Sequence, residues 1–185
     1  MIRFSIILIF LSLSLRAEEF QPLKTVPKTI KCSVKNQSVF FEGTSQHYPL
    51  YDKNTTAIKL IKCEKITIQE QNFFSLLFSS EITESSALEK ILTFEVALLD
   101  KKTQQLKTAR SEIVDQIELS GDLSNVDFES SVKASWGLSK KDHSILLKLE
   151  MSPKNEKPFS YLLKLNQKSS WFENILENTA KKKKN

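Results

Sequence analysis

Glycine is scarce in this chain, which has three glycines among 185 residues. Loops that cradle a phosphate need several glycines close together, so the sequence gives no support for a nucleotide site of that kind. The turns must use Asn, Asp, Ser, Lys and Pro instead. This composition predicts type I turns and longer loops rather than tight two-residue hairpins.

Histidine, the residue that most often serves acid–base catalysis and metal binding, is also scarce. The two histidines, His47 and His143, lie far apart and have no metal-ligand spacing, and there is no Gly-x-Ser-x-Gly nucleophile elbow. We therefore expect no metal, no cofactor and no enzymatic activity. One alternative remains: a hydrolase of uncharacterised type centred on His47, in which His47 and Asp52 share a metal ion or a proton.

An excess of charge is also missing from the predicted folded part of the chain. The formal net charge of +5 includes Arg3 and Arg16 near the start and four lysines at 181–184, without which it is about −1. We therefore expect no nucleic-acid partner. The charge is uneven along the chain, with lysines concentrated in 24–65 and acids in 84–129. This pattern fits two complementary solvated surfaces, or else a polarised surface that docks a charged partner.

Long apolar runs are confined to the first residues of the chain. A positive start at Arg3 precedes a twelve-residue apolar run at 4–15, and Ala17 precedes Glu18. This layout predicts a secretory signal peptide over 1–17 that is cleaved between Ala17 and Glu18, with cleavage after Ser14 as the alternative. The run is too short to span a bilayer, so we expect no stable transmembrane anchor after cleavage. The predicted location is secreted or periplasmic.

The two cysteines, Cys32 and Cys63, both follow the predicted signal peptide. An isolated pair in an oxidising compartment predicts a disulfide, and two buried thiols are the alternative. Asn36 and Asn54 begin N-glycosylation sequons, which would matter only in a eukaryotic source.

Three runs near the C-terminus, namely 131–138, 144–151 and 159–166, have one mostly apolar and one mostly polar set of alternating side chains. Successive side chains of a strand point to opposite faces, so each run predicts a strand with one apolar face. Their connectors are too short for parallel crossovers. The three runs are therefore predicted to form an antiparallel meander that packs on a second layer.

Upstream, strand-like runs recur about every ten residues. We predict strands at 30–34, 39–41, 57–69, 72–79, 90–99, 106–111 and 113–119, with a loop over 42–56. The alternation in 57–69 breaks near Lys62, which predicts a bulge or a bend. Apolar side chains on both faces of 72–79 predict a strand that is buried on both sides.

The C-terminal residues predict the only helix. Ser170 and Glu173 have capping-box spacing, and Trp171, Phe172 and Ile175 would line one helical face. The predicted order is an extended arm over 18–29, a β-sandwich over 30–168, a helix over 169–180 and a Lys-rich tail over 181–185. The fold class is all-β and mainly antiparallel, as a β-sandwich or a small barrel-like sandwich with one short C-terminal helix. Trp136 is predicted to lie in the core, and Trp171 is predicted to pack at the start of the helix.

These features favour an exported, soluble β-sandwich protein that acts as a non-enzymatic binding or structural module. It would serve the periplasm, the cell envelope or the secreted space, with an unknown protein or envelope component as partner. A second hypothesis is a small β-barrel carrier of an apolar ligand such as a lipid, with the aromatic run Phe73–Phe78 lining its cavity.

Overall fold

A computed structural model describes residues 20–42, 47–50, 55–84, 87–119 and 127–175. The predicted signal peptide with its Ala17–Glu18 cleavage site, Asp52, Asn54 and the Lys-rich tail lie outside these ranges. Within them the chain is almost entirely antiparallel β-structure, as predicted. The strands are β1 (Phe20–Pro22), β2 (Lys28–Thr29), β3 (Cys32–Lys35), β4 (Ser38–Phe41), β5 (His47–Pro49), β6 (Thr55–Ile68), β7 (Gln71–Glu84), β8 (Ala87–Leu99), β9 (Leu106–Leu119), β10 (Ser131–Ser139), β11 (Ile145–Ser152), β12 (Phe159–Asn166) and β13 (Trp171–Asn174).

The strands form three antiparallel sheets. The central sheet has the order β2-β6-β7-β8-β9, the outer sheet has the order β1-β10-β11-β12-β13, and the small sheet has the order β3-β4-β5. The predicted meander is confirmed as β10, β11 and β12. In its register Trp136 lies opposite Leu147, and Leu149 lies opposite Tyr161.

The central sheet packs on both of its faces, because the outer sheet covers one face and the small sheet covers part of the other. In β7, Phe73 belongs to the core shared with the outer sheet, whereas Phe74 and Leu76 belong to the core shared with the small sheet. The prediction that 72–79 is buried on both sides is therefore confirmed. Trp136 lies in the first of these cores, as predicted.

The predicted irregularity near Lys62 is a register shift between Leu60 and Lys62. Ile58 and Leu60 face the small sheet before the shift, whereas the even-numbered Ile66 faces the outer sheet after it. One extra residue in a strand reverses its alternation, which explains the broken pattern in the sequence.

The prediction of two separate strands at 106–111 and 113–119 is wrong, because β9 is continuous. Register shifts opposite β8 leave Ala109 and Val114 without partners in the ladder, and both are buried against the outer sheet. Two bulges in one strand interrupt its period-two pattern twice, so the sequence resembles two short strands.

The predicted loop over 42–56 contains a strand, β5, that pairs with β4. Tyr48 is buried, whereas His47 on the opposite side of the strand is exposed. The segment is too short to show alternation, and pairing with β4 supplies the backbone partners that stabilise it.

The expectation that tight hairpins would be avoided is also wrong. The β3–β4 turn at Asn36 and Gln37 and the β6–β7 turn at Gln69 and Glu70 each have two central residues with positive φ, between 49° and 63°. A type I′ turn requires this backbone, which usually favours glycine. The twist of the paired strands imposes the turn even where the residues are not glycine.

The predicted helix over 169–180 is wrong for its first part, because Trp171–Asn174 forms β13 and pairs with β12. The turn that leads into it closes when Ser170 N donates to Asn166 O at 2.8 Å and Lys168 N donates to Asn166 Oδ1 at 2.9 Å. Phe172 is fully buried and Trp171 is half-buried, so packing on the central sheet outweighs the local helix signal. Residues 176–180 lie outside the described ranges.

The N-terminal arm connects two sheets. Its strand β1 pairs with β10 in the outer sheet, and its strand β2 pairs with β6 in the central sheet. The arm passes so close to Gly137 that an added Cβ there would lie 2.5 Å from Phe20 Cε2. Among the described residues, none belongs to a helix with the length and apolar character that a membrane span requires.

Candidate ligand pocket

A pocket of about 240 Å³ opens on the face of the central sheet beside the small sheet. It exists because the small sheet has only three short strands, whereas β6 to β9 extend well beyond it. The part of this face that lines the pocket is called here the open face. It is lined by Pro49, Leu50, Thr55, Ile58, Phe78, Ser80, Ile82, Ile91, Thr93, Glu95, Thr108, Ser111 and Ile113.

The strand register explains why these side chains converge. In one row across the sheet Phe78, Thr93 and Ile113 lie side by side, and in the next row Leu76, Glu95 and Ser111 do so. Cross-strand partners point to the same face of a sheet. The first row is open, and the second reaches the edge of the small sheet, so Glu95 lies where the pocket meets the core.

A hydrogen-bonded group of the buried Tyr48, the buried Glu95 and the exposed Thr108 forms this inner end of the pocket. The Tyr48 hydroxyl donates to Glu95 Oε1, and the same hydroxyl oxygen lies 2.5 Å from Thr108 Oγ1. Tyr48 comes from the small sheet, whereas Glu95 and Thr108 come from β8 and β9 of the central sheet. The group therefore joins two sheets through polar contacts.

Burial dominates the electrostatics of this group. Glu95 is 9 % exposed, and removal from water raises its pKa, while the hydrogen bonds from Tyr48 and Thr108 partly oppose that rise. Burial and the neighbouring Glu95 carboxyl also raise the pKa of Tyr48. A buried carboxyl group in a pocket is a recognised mark of a functional site.

The disulfide between Cys32 and Cys63 joins the small sheet to the central sheet, and their Cα atoms are 6.3 Å apart. The prediction of this pair is confirmed. Near it, the rings of Phe41 and Phe74 pack with centroids 4.5 Å apart. These contacts hold β5 over the sheet and thereby place Tyr48 beside Glu95.

The histidines singled out in the sequence lie away from the pocket. His47 is exposed and stacks on Phe40 with ring centroids 5.8 Å apart. His143 lies in the β10–β11 connector, where its backbone N donates to Ser139 O. The described ranges contain no group of three or more His, Cys, Asp or Glu side chains that could hold a metal ion.

The aromatic candidates fill cores rather than a cavity. Phe73 packs against Trp136 and Phe172, with ring centroids 5.1 Å and 5.9 Å away, and of the run 73–78 only Phe78 lines the pocket. Trp171 lies under the Arg110 guanidinium group at 5.8 Å. Trp136 thus packs in the core, as predicted, whereas Trp171 is half-buried against Arg110.

The residues that sequence reasoning missed are Tyr48, Glu95 and Thr108. In the sequence Glu95 alternates with the apolar side chains of its strand, a position that normally faces solvent. The sequence did contain an indication that Glu95 is buried. The neighbouring strand is apolar on both faces, so neither face of the sheet could be fully exposed to solvent. Comparison with protein-family models, with curated proteins and with solved structures found no match to this chain.

Proposed function

We propose that this protein is an exported, non-enzymatic binding module of the periplasm, cell envelope or secreted space, and that the pocket on the open face is its binding site. The pocket is the observation that carries the proposal. It is concave, it has isoleucine and phenylalanine walls, and it holds a few convergent polar groups, which is the usual composition of a small-ligand site.

Export has separate support. The signal-like residues at 1–17 favour secretion, and a disulfide persists mainly in oxidising compartments. Intact mass spectrometry of the protein from its native host tests this part. A mass that starts at Glu18, with alkylation only after reduction, supports export, whereas a full-length mass with two alkylated thiols contradicts it.

The apolar-carrier alternative has less support. The pocket is smaller than the roughly 300–1,000 Å³ of typical ligand sites, so it is small for a long acyl chain. The hydrolase alternative also has less support, since His47 points away from the pocket and stacks on Phe40.

Binding is tested by NMR of protein labelled at isoleucine methyl groups and titrated with a small-molecule fragment library. Four isoleucines line the pocket, namely Ile58, Ile82, Ile91 and Ile113. Ile145 of β11 lies instead in the core between the outer and central sheets. We expect binding fragments to shift the first four signals and leave Ile145 unchanged. Fragments that shift no pocket isoleucine would refute the site.

A pocket-filling variant sharpens this test. Thr93→Phe places a ring in the open row between Phe78 and Ile113 and should abolish the shifts. The control is Thr103→Phe in the exposed β8–β9 turn, which should bind fragments like the wild type. Equal binding by both variants would contradict the proposal.

A further inference from the structure

Acidic side chains lie in the pocket and beyond it on the same face of the central sheet. Beyond the pocket, Glu89 of β8 lies opposite Glu118 of β9, and both share the face of Glu95. Gln116 Nε2 donates to Glu89 Oε2 at 3.0 Å, which confirms that Glu89 points to this side. Among the described residues, the side chains that line the pocket include the Glu95 carboxyl group and no lysine or arginine. Lys65 of β6 lies on the same face of the sheet but outside the pocket, with its ammonium group over the Phe74 ring.

Three other basic residues of β6, β8 and β9 point to the opposite face of the central sheet. Lys90 and Arg110 alternate with the pocket residues and lie on the face toward the outer sheet, where Arg110 donates to Phe172 O at 3.0 Å. Lys59 is on that same side and pairs with Asp127. Because the described lining of the pocket has a carboxyl group and no lysine or arginine, its potential favours cations.

Glu95 is suited to bind a cation. Its hydrogen-bonding partners, Tyr48 and Thr108, are both neutral, and within the described ranges it has no ion pair with a lysine or arginine. A buried carboxylate is stabilised when a cation binds beside it, and hydrogen bonds between charged groups are the strong ones.

We propose that the pocket binds a small organic cation, an ammonium group on a short apolar body, with Glu95 as the residue that recognises the charge. This inference rests on the proposed binding function and specifies its ligand class. The apolar body would contact Ile58, Ile82 and Ile91, and the ammonium group would lie at the inner end beside Glu95. The size of the cavity, about 240 Å³, limits the ligand to a short chain or a single ring.

Three probes of equal length test the charge preference: n-hexylammonium, n-hexanol and hexanoate. The amine is protonated at neutral pH, as in lysine. We expect n-hexylammonium to shift the pocket isoleucine signals at a concentration about tenfold or more below that needed for n-hexanol, because a charge-assisted hydrogen bond replaces a neutral one. Hexanoate should not bind. This comparison uses the wild-type protein and needs no variant.

The variant Glu95→Gln assigns the preference to one residue. It should lose the tenfold preference for n-hexylammonium over n-hexanol. The control Glu150→Gln makes the same chemical change on the outer face of β11, beside Lys148, and should keep the preference.

The possible results separate the two proposals. Equal affinity for n-hexylammonium and n-hexanol, or a preference that survives Glu95→Gln, would overturn the cation inference while the pocket remains a binding site. If neither these probes nor any library fragment shifts the pocket signals, the binding function fails, and the inference fails with it.

Discussion

Removing the Cys32–Cys63 disulfide should destabilise the protein substantially. The cysteines are 31 residues apart in sequence, and the bond restricts the unfolded chain by closing that loop. The chain-entropy relation gives about 3.7 kcal/mol for a loop of this size near room temperature. At about 2–4 °C per kcal/mol for a domain of this size, the melting temperature should fall by roughly 7–15 °C.

Guanidinium unfolding of three samples measures this effect: the oxidised wild type, the wild type in reductant, and the double variant Cys32→Ala with Cys63→Ala. We expect the reduced wild type and the double variant to be similarly destabilised. Adding reductant to the double variant should change nothing, which controls for other effects of the reagent. If oxidised and reduced protein differ by less than about 1 kcal/mol, the loop-entropy account is refuted.

Hydrogen exchange shows whether the folded state also changes. The disulfide holds the small sheet on the central sheet, so without it the small sheet should open more often than the outer core. The Leu50 amide, which donates to Gln37 O, should exchange faster relative to the Leu147 amide in the outer sheet. An equal acceleration of both amides would show that the disulfide stabilises the protein only as a whole.

Four further predictions concern single residues. Burial raises the pKa of Glu95. The stability that the Glu95 carboxyl group contributes is therefore complete below its pKa in the unfolded state, and it is lost as the pH rises through its pKa in the folded state. The free energy of unfolding of the wild type relative to Glu95→Gln should therefore be higher near about pH 5 than near about pH 8, and urea unfolding that gives a constant difference would contradict this. Phe172→Ala should lower the free energy of unfolding by about 3–5 kcal/mol, because it leaves a cavity at a fully buried site. A decrease below about 1 kcal/mol in chemical denaturation would refute the packing of β13. Gly137→Ala should lower the free energy of unfolding by about 1–3 kcal/mol, because the added Cβ overlaps the Phe20 ring. Unchanged stability in the same assay would show that β1 does not pack there. Glu70→Gly should stabilise the β6–β7 turn by about 1 kcal/mol, since Glu70 has φ 63°, whereas a lower melting temperature would argue against a left-handed residue at this position.

Several features were predictable because their signals are local or arise from simple counts. The meander from β10 to β12 follows from period-two alternation joined by short connectors. The break in alternation near Lys62 located the β6 bulge. The disulfide required only that two cysteines occur in a chain predicted to be exported.

The candidate site could not be predicted in the same way. In the sequence Glu95 alternates with buried residues and resembles a solvated strand position, while Tyr48 lies in a stretch without a strand pattern. The two meet only because the small sheet folds onto β8. Residues 47 places apart in sequence leave no local pattern that records such a contact.

Alternation, short connectors and the cysteine count were enough to predict antiparallel strands, the position of the meander and the Cys32–Cys63 pair. Tertiary structure alone decided that residues 171–174 extend the outer sheet instead of starting a helix, that the small sheet covers only part of the central sheet, and that a carboxyl group is buried at the boundary. The physical reason is the range of the interactions. Alternation and turn preferences act between neighbours in the chain, whereas burial, sheet order and the pKa of Glu95 depend on groups that folding brings together from distant positions.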